Sequence, residues 1–152
     1  MKALGVAFAL ISLAAWPSAS QAQGAPLTFD VTGVRFSGGS IRVDICTPET
    51  FLKAVCQYST STPAVRGVTR IEFENLPPGV YAAQVYHDWN DNHRVDRTAL
   101  GIPREGLGFS NDAPLGLHGP SFERAAFTHE AAPQTLTVKL HHFSAVPKAS
   151  EK

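Results

Sequence analysis

The sequence predicts an all-β fold, an antiparallel β-sandwich with one short helix and one long ordered loop. Three observations predict it. Apolar and polar residues alternate with a period of two from Leu27 onward, and clusters rich in Gly, Pro, Asn and Ser punctuate the alternating runs. Sustained helical periodicity is absent between them.

Taken in chain order, Lys2 precedes an apolar run from Ala3 to Trp16, then Pro17 and small or polar residues as far as Ser20-Gln21-Ala22. This pattern predicts a secretory signal peptide over residues 1–22. Its apolar run falls short of the roughly 20 residues that a membrane span needs, and no later segment approaches that length. About 130 residues remain after processing, enough for one domain, placed over residues 23–146, with a flexible tail over 147–152. Loss of Lys2 takes the basic count from 13 to 12 against 13 acidic residues. A chain so nearly neutral, with no run of Lys or Arg, lacks the basic patch that nucleic acid or an anionic membrane surface calls for.

Leu27, Phe29 and Val31 form one face of a first strand, and Ile41, Val43 and Ile45 one face of a second, with Ser37-Gly38-Gly39-Ser40 as the turn between them. Cys46 and Cys56 are the only cysteines, and an even count in an exported chain predicts a disulfide. A soft-metal thiolate pair is the competing use, but these two lack the close spacing typical of one. Between them Thr47 to Lys53 reads as the short helix, with Thr47 as N-cap and Pro48 at the first helical position. Val68, Ile71 and Phe73 mark a third, slightly irregular strand that ends at the turn Asn75-Leu76-Pro77-Pro78-Gly79. Tyr81, Ala83, Val85 and His87 alternate in a further strand, and the last runs from Thr135 to His142.

The strand through His87 leads into Asp88-Trp89-Asn90-Asp91-Asn92-His93-Arg94-Val95-Asp96. Short oxygen-bearing side chains at alternate positions, followed by a carboxylate, are how a tight loop wraps a hard cation. The spacing predicts calcium ligands at Asp88, Asn90, Asn92, the Arg94 carbonyl and Asp96. His93 stands where such loops place glycine, and Ala99 where they place a closing bidentate glutamate. With so few anionic ligands the expected dissociation constant is about 10⁻⁴ to 10⁻³ M. Asx-turns in a surface loop would also explain the Asp and Asn residues.

From Asp88 to Phe122 the chain shows no strand pattern, yet Leu100, Ile102, Leu107, Phe109, Leu115, Leu117 and Phe122 anchor it against disorder. Glu105, between a proline turn and two glycines, is the first choice to return to the loop as the missing carboxylate; Asn111 and Asp112 are alternatives. The other role for Glu105 is a surface salt bridge to Arg94, Arg97 or Arg104.

Several of these motifs also occur together in one family. His87-Asp88-x-Asn90-x-Asn92-x-x-Val95-Asp96 is followed by Gly101-Ile102-Pro103-x-Glu105-Gly106-x-Gly108-Phe109-Ser110-Asn111 and then by Pro120-x-Phe122-x-x-Ala125-x-Phe127. With Phe73-x-Asn75-Leu76-Pro77-Pro78-Gly79-x-Tyr81 upstream, this resembles the small exported bacterial proteins called domain of unknown function 2141. The resemblance covers essentially the whole mature chain. It implies a prealbumin-like, Ig-like or carboxypeptidase-regulatory-like sandwich, and its loop normally reads N-G-x-x-D, so His93 is this chain's departure.

These features predict an exported, periplasmic or extracellular, non-enzymatic module. Its calcium-organised loop would offer a surface to a protein or carbohydrate ligand. Trp89 is the best choice for an exposed contact; Phe109 and Leu115 are further choices that serve equally as buried anchors. Two alternatives stay open. His87, His93, His118, His129, His141 and His142 could serve a periplasmic copper or zinc protein. His87, Asp88 and Glu105 could form a metal-assisted or acid-base hydrolytic site, although no H-E-x-x-H or G-x-S-x-G frame supports it and Ser110 has no nucleophile elbow.

Overall fold

A computed structural model describes residues 23–53, 55–116 and 119–143. The signal peptide and tail expected from the sequence lie outside those residues.

Among the described residues eight strands form two sheets: β1 (Ala25–Val34), β2 (Ser40–Cys46), β3 (Tyr58–Pro63), β4 (Gly67–Leu76), β5 (Gly79–Asp88), β6 (Leu107–Phe109), β7 (Ala126–His129) and β8 (Gln134–Lys139). One sheet has the order β4-β1-β8, the other β3-β2-β5-β6 with β7 also paired to β5. All pairings are antiparallel except that of β1 with β8, which is parallel and departs from the expected arrangement.

Alternation builds the core as the sequence predicts. Leu27, Phe29 and Val31 of β1 face Ile41, Val43 and Ile45 of β2, with Ile71, Val85 and Val138 closing the layer. Phe29 lies edge-on to both Phe73 and Phe127, at ring separations of 6.1 and 6.3 Å. Such pairing adds about 0.5 to 1.5 kcal/mol each beyond the area buried.

Strand β5 is buried on both faces, and this positions the site. Tyr81, Ala83 and Val85 meet the first core, while Ala82 and Tyr86 on the opposite face meet a second cluster containing Cys46, Phe51, Leu107 and Phe109. The excursion after β5 therefore folds back over the outer face of the sheet. Within it Leu107–Phe109 pairs with Gln84–Tyr86, so the segment expected to carry no strand contains a short one. Three residues are too few for a period-two signal to register.

The helix expected over Thr47–Lys53 is corrected to a set of turns. Phe51 N–H donates to the Thr47 carbonyl at 3.0 Å, one helical turn, but Leu52 at φ 60° takes the chain out of the helix. The disulfide Cys46–Cys56, with Cα atoms 4.7 Å apart, closes this loop at a sequence separation of 10. The only α-helical segment among the described residues is α1 (Phe122–Ala125), a single turn.

The last strand ends earlier than its pattern suggests. After Lys139 the chain passes from β1 to the other sheet, where His141 and Leu107 exchange backbone hydrogen bonds at 2.9 and 3.0 Å. This crossing ties the two sheets together beside the site.

Candidate functional site

Asp88 is the last residue of β5 and its side chain has 0% exposure. It points to the outer face of the sheet, which the excursion covers. Its Oδ1 accepts from the Asn92 N–H at 3.0 Å and its Oδ2 from the His93 N–H at 2.7 Å, so one carboxylate shapes the loop that follows. That shape forces Asp91 and His93 to φ 55° and 61°, the left-handed region in which glycine is the usual occupant at the His93 position. The His93 imidazole lies beside the same carboxylate, with Nδ1 3.7 Å from Asp88 Oδ2. Gly39, at φ 65°, sits against the start of the loop, where a Cβ would fall 2.2 Å from the Asp88 carbonyl oxygen. Only glycine lets the β1–β2 turn approach so closely.

The other loop residues converge on Asp96. Asn90 Nδ2 and Asn92 Nδ2 both donate to Asp96 Oδ2, at 2.8 and 3.0 Å, and Arg94 Nε lies 3.5 Å from Asp96 Oδ1. The Arg94 N–H donates to Asn92 Oδ1 at 3.0 Å. Across the loop, Ser40 at the start of β2 donates to Asp91 Oδ1 at 2.9 Å. The chain separation of that contact hides it from any local motif.

Glu105 reaches this loop from the far side of the excursion. It is 1% exposed, and its Oε2 accepts from the Asp96 N–H at 3.1 Å. Its Oε1 is buried without a hydrogen-bond partner. Burial raises its pKa to about 7; the Asp96 N–H opposes this, the carboxylates of Asp88 and Asp96 add to it, and the Trp89 N–H pulls weakly the other way. Glu105 does not lie at the surface, where the salt-bridge role would place it; Arg94 pairs with Asp96, and Arg97 Nη1 donates to the Gly101 carbonyl. Tyr86 lies on the same sheet face, and burial together with the negative field of Asp44, Asp88 and Glu105 pushes its phenol pKa upward.

Asn111 and Asp112 do not join the loop. Asn111 Nδ2 donates to the Ala126 carbonyl at 2.6 Å, and Asp112 Oδ1 accepts from the Lys139 N–H at 3.1 Å. Ser110 is fully buried, accepting from the Ala83 N–H and donating to the Ala125 carbonyl, so its hydroxyl links β5 to the end of α1. Trp89 is corrected from an exposed contact to a half-buried side chain whose indole N–H is buried without a partner. Phe109 is an anchor at 2% exposure, and Leu115 packs against the second cluster.

The described histidines take separate hydrogen-bond partners. His87 Nε2 bonds the Gly38 carbonyl at 2.7 Å and its ring stacks at 4.5 Å on Phe36. His129 spans the Ala25 carbonyl and Gln134, and His142 Nε2 bonds the Gly33 carbonyl at 2.8 Å. His118 lies outside the described residues. Among the described residues no three His, Cys, Asp or Glu side chains are grouped as a metal centre. Any cation at the loop must therefore draw on amide and carbonyl oxygens as well as carboxylates.

A two-sheet β-sandwich with a disulfide-closed loop and a long excursion covering its central strand is the class of protein these features define. The chain matches the family model described as an uncharacterized protein conserved in bacteria (DUF2141) over residues 29–137, and it belongs to that family. Neither a curated protein nor a solved structure matches it. The disulfide is compatible with export, and no helix among the described residues is long and apolar enough to cross a membrane.

Proposed function

We propose that this chain is an exported, non-enzymatic β-sandwich whose loop from Asp88 to Glu105 is organised by calcium and serves as a binding or structural surface toward a protein or carbohydrate. The observation that carries this reading is the buried, unpartnered Oε1 of Glu105, set beside Asp88 and Asp96. A buried carboxylate of that kind is costly unless a proton or a cation neutralises it.

The amide side chains suit the second solution. Asn90 and Asn92 turn their nitrogens toward Asp96, and a half-turn about each terminal bond places oxygen at the same position. Asp88 retains lone pairs beyond the two that receive loop N–H groups. Oxygen donors of this type prefer calcium to zinc or copper.

The test is a thermal scan of the mature protein with 10 mM calcium against chelator. For a dissociation constant of about 10⁻⁴ to 10⁻³ M, the stabilisation is about 1.5 to 3 kcal/mol. Asp88→Ala abolishes the response. A midpoint unmoved by calcium, or one moved by zinc and not by calcium, overturns the reading.

A further inference from the structure

The ion loop is held from outside by a segment that supplies none of its proposed ligands. The β1–β2 turn, residues 35–39, and the first residue of β2 meet it at successive positions. Phe36 stacks on the His87 ring at 4.5 Å, and the Gly38 carbonyl bonds His87 Nε2 at 2.7 Å. Gly39 packs backbone on backbone, so that a Cβ there would collide with the Asp88 carbonyl oxygen and the Trp89 Cα. The Ser40 hydroxyl then donates to Asp91 Oδ1 at 2.9 Å.

The turn is fixed on its other side as well. The Ala64 N–H donates to the Gly39 carbonyl at 3.1 Å and the Arg66 N–H to Ser37 Oγ at 2.9 Å, which ties it to the connection between β3 and β4. Ser40 itself is paired with Asp88 of β5 on one side and Pro63 of β3 on the other. Its hydroxyl therefore reaches the loop from a backbone held within three strands.

Asp91 is where that anchorage acts. It separates the proposed ligands Asn90 and Asn92, and at φ 55° it holds a conformation uncommon for any residue but glycine. Fixing it fixes how the two amides are presented to Asp96. An ion loop ordered in advance binds without the entropy cost of ordering. Two usual means to that end are missing here, since His93 stands at the glycine position and Ala99 at that of the closing glutamate.

We propose that the β1–β2 turn clamps the loop in its binding shape before an ion arrives, with Ser40 as the positioning residue acting through Asp91. The inference rests on the calcium reading above and adds to it what sets the affinity of that site.

The test is run on the mature protein, first in chelator and then with calcium chloride. Backbone order parameters from NMR relaxation should lie near the rigid value of about 0.85 at Asn90 to His93 in the parent, and fall toward about 0.6 in Ser40→Ala while β1 and β2 stay rigid. Calorimetric titration should show calcium bound about three- to tenfold more weakly by Ser40→Ala, as the loss of one hydrogen bond predicts. Ser40→Thr, which keeps the hydroxyl, should restore both. Equal calcium affinity in parent and Ser40→Ala keeps the ion and overturns the clamp, because a merely structural serine would change the thermal midpoint alone. A loop that loosens in Ser40→Ala, with no calcium bound by the parent, keeps the clamp and overturns the ion. A parent loop already mobile in chelator, or a defect that Ser40→Thr does not repair, overturns the clamp as well.

Discussion

Replacing Glu105 by glutamine separates charge from shape at the centre of the site. Glutamine keeps the length and the carbonyl oxygen that can accept the Asp96 N–H, but carries no charge. The native carboxyl has its pKa raised from 4.5 to about 7, so the folded state holds the proton more tightly than the unfolded chain. Its contribution to stability is therefore complete below about pH 4.5, declines as pH rises through about 7, and is level above that. At about 1.4 kcal/mol for each tenfold change in proton affinity, the interval corresponds to about 3 kcal/mol as an upper bound.

Without calcium at pH 8, Glu105→Gln should then be more stable than the parent by up to about 3 kcal/mol, or about 10 °C in thermal midpoint. At pH 4 the two proteins should agree within about 1 kcal/mol, because the parent is protonated there. With 10 mM calcium at pH 8 the gap narrows, since the parent gains more from the ion than the variant does. Differential scanning calorimetry across pH 4 to 9, with and without chelator, reads all three. A variant less stable than the parent at pH 8 in chelator would refute the premise that an uncompensated anion lies buried at Glu105.

Three further outcomes test the supports of the site. His93→Gly relieves the positive φ at the loop's tightest point and should change stability in chelator by between zero and about +1 kcal/mol; a loss above about 1 kcal/mol in urea titration would assign the loop's shape to the imidazole contact with Asp88 instead. Converting Cys46 and Cys56 both to alanine opens a loop of sequence separation 10 and should cost about 2 to 3 kcal/mol by chemical denaturation. Ser110→Ala leaves the Ala83 N–H and the Ala125 carbonyl unpartnered in the interior and should cost about 2 to 4 kcal/mol; a loss below about 0.5 kcal/mol would show that other groups join α1 to β5.

Alternating apolar residues made β1, β2 and β4 legible, because in each of them one face is buried and the period of two survives in the sequence, whereas β5 was read from the alternation of Tyr81, Ala83, Val85 and His87 although both its faces are covered. Strand β3, Tyr-Ser-Thr-Ser-Thr-Pro, has no fully buried side chain and lies at a sheet edge, so it leaves no hydrophobic alternation to find. Strands β6 and β7 span three and four residues and owe their existence to pairing with β5 rather than to local preference. Thr47-Pro48 carried a real helix-start signal, but loop closure by Cys46 and Cys56 overrode it. The spacing from Asp88 to Asp96 drew attention to Asn90, Asn92 and Asp96, which hydrogen-bond to one another, and to Glu105, which accepts the Asp96 N–H; calcium binding by them is the proposal.

The placement of Glu105 makes a proton and a cation alternative solutions to one problem. The outer face of β5 ends in the buried Asp88; Asn90 and Asn92 both donate to Asp96, and Glu105 accepts the Asp96 N–H with one oxygen and leaves the other unsatisfied. Below about pH 7 that carboxyl keeps its proton, so calcium must displace it and affinity should fall up to about tenfold for each further pH unit down. Calorimetric titration at pH 6 in two buffers of different ionisation enthalpy should then show about one proton released for each calcium bound, and close to none at pH 8.5. Proton release that does not change between those pH values would place calcium, if it binds, away from Glu105. The same measurement on Glu105→Gln removes the proton term altogether, which separates an ion held by this carboxylate from one held by the Asp88–Asp96 loop alone.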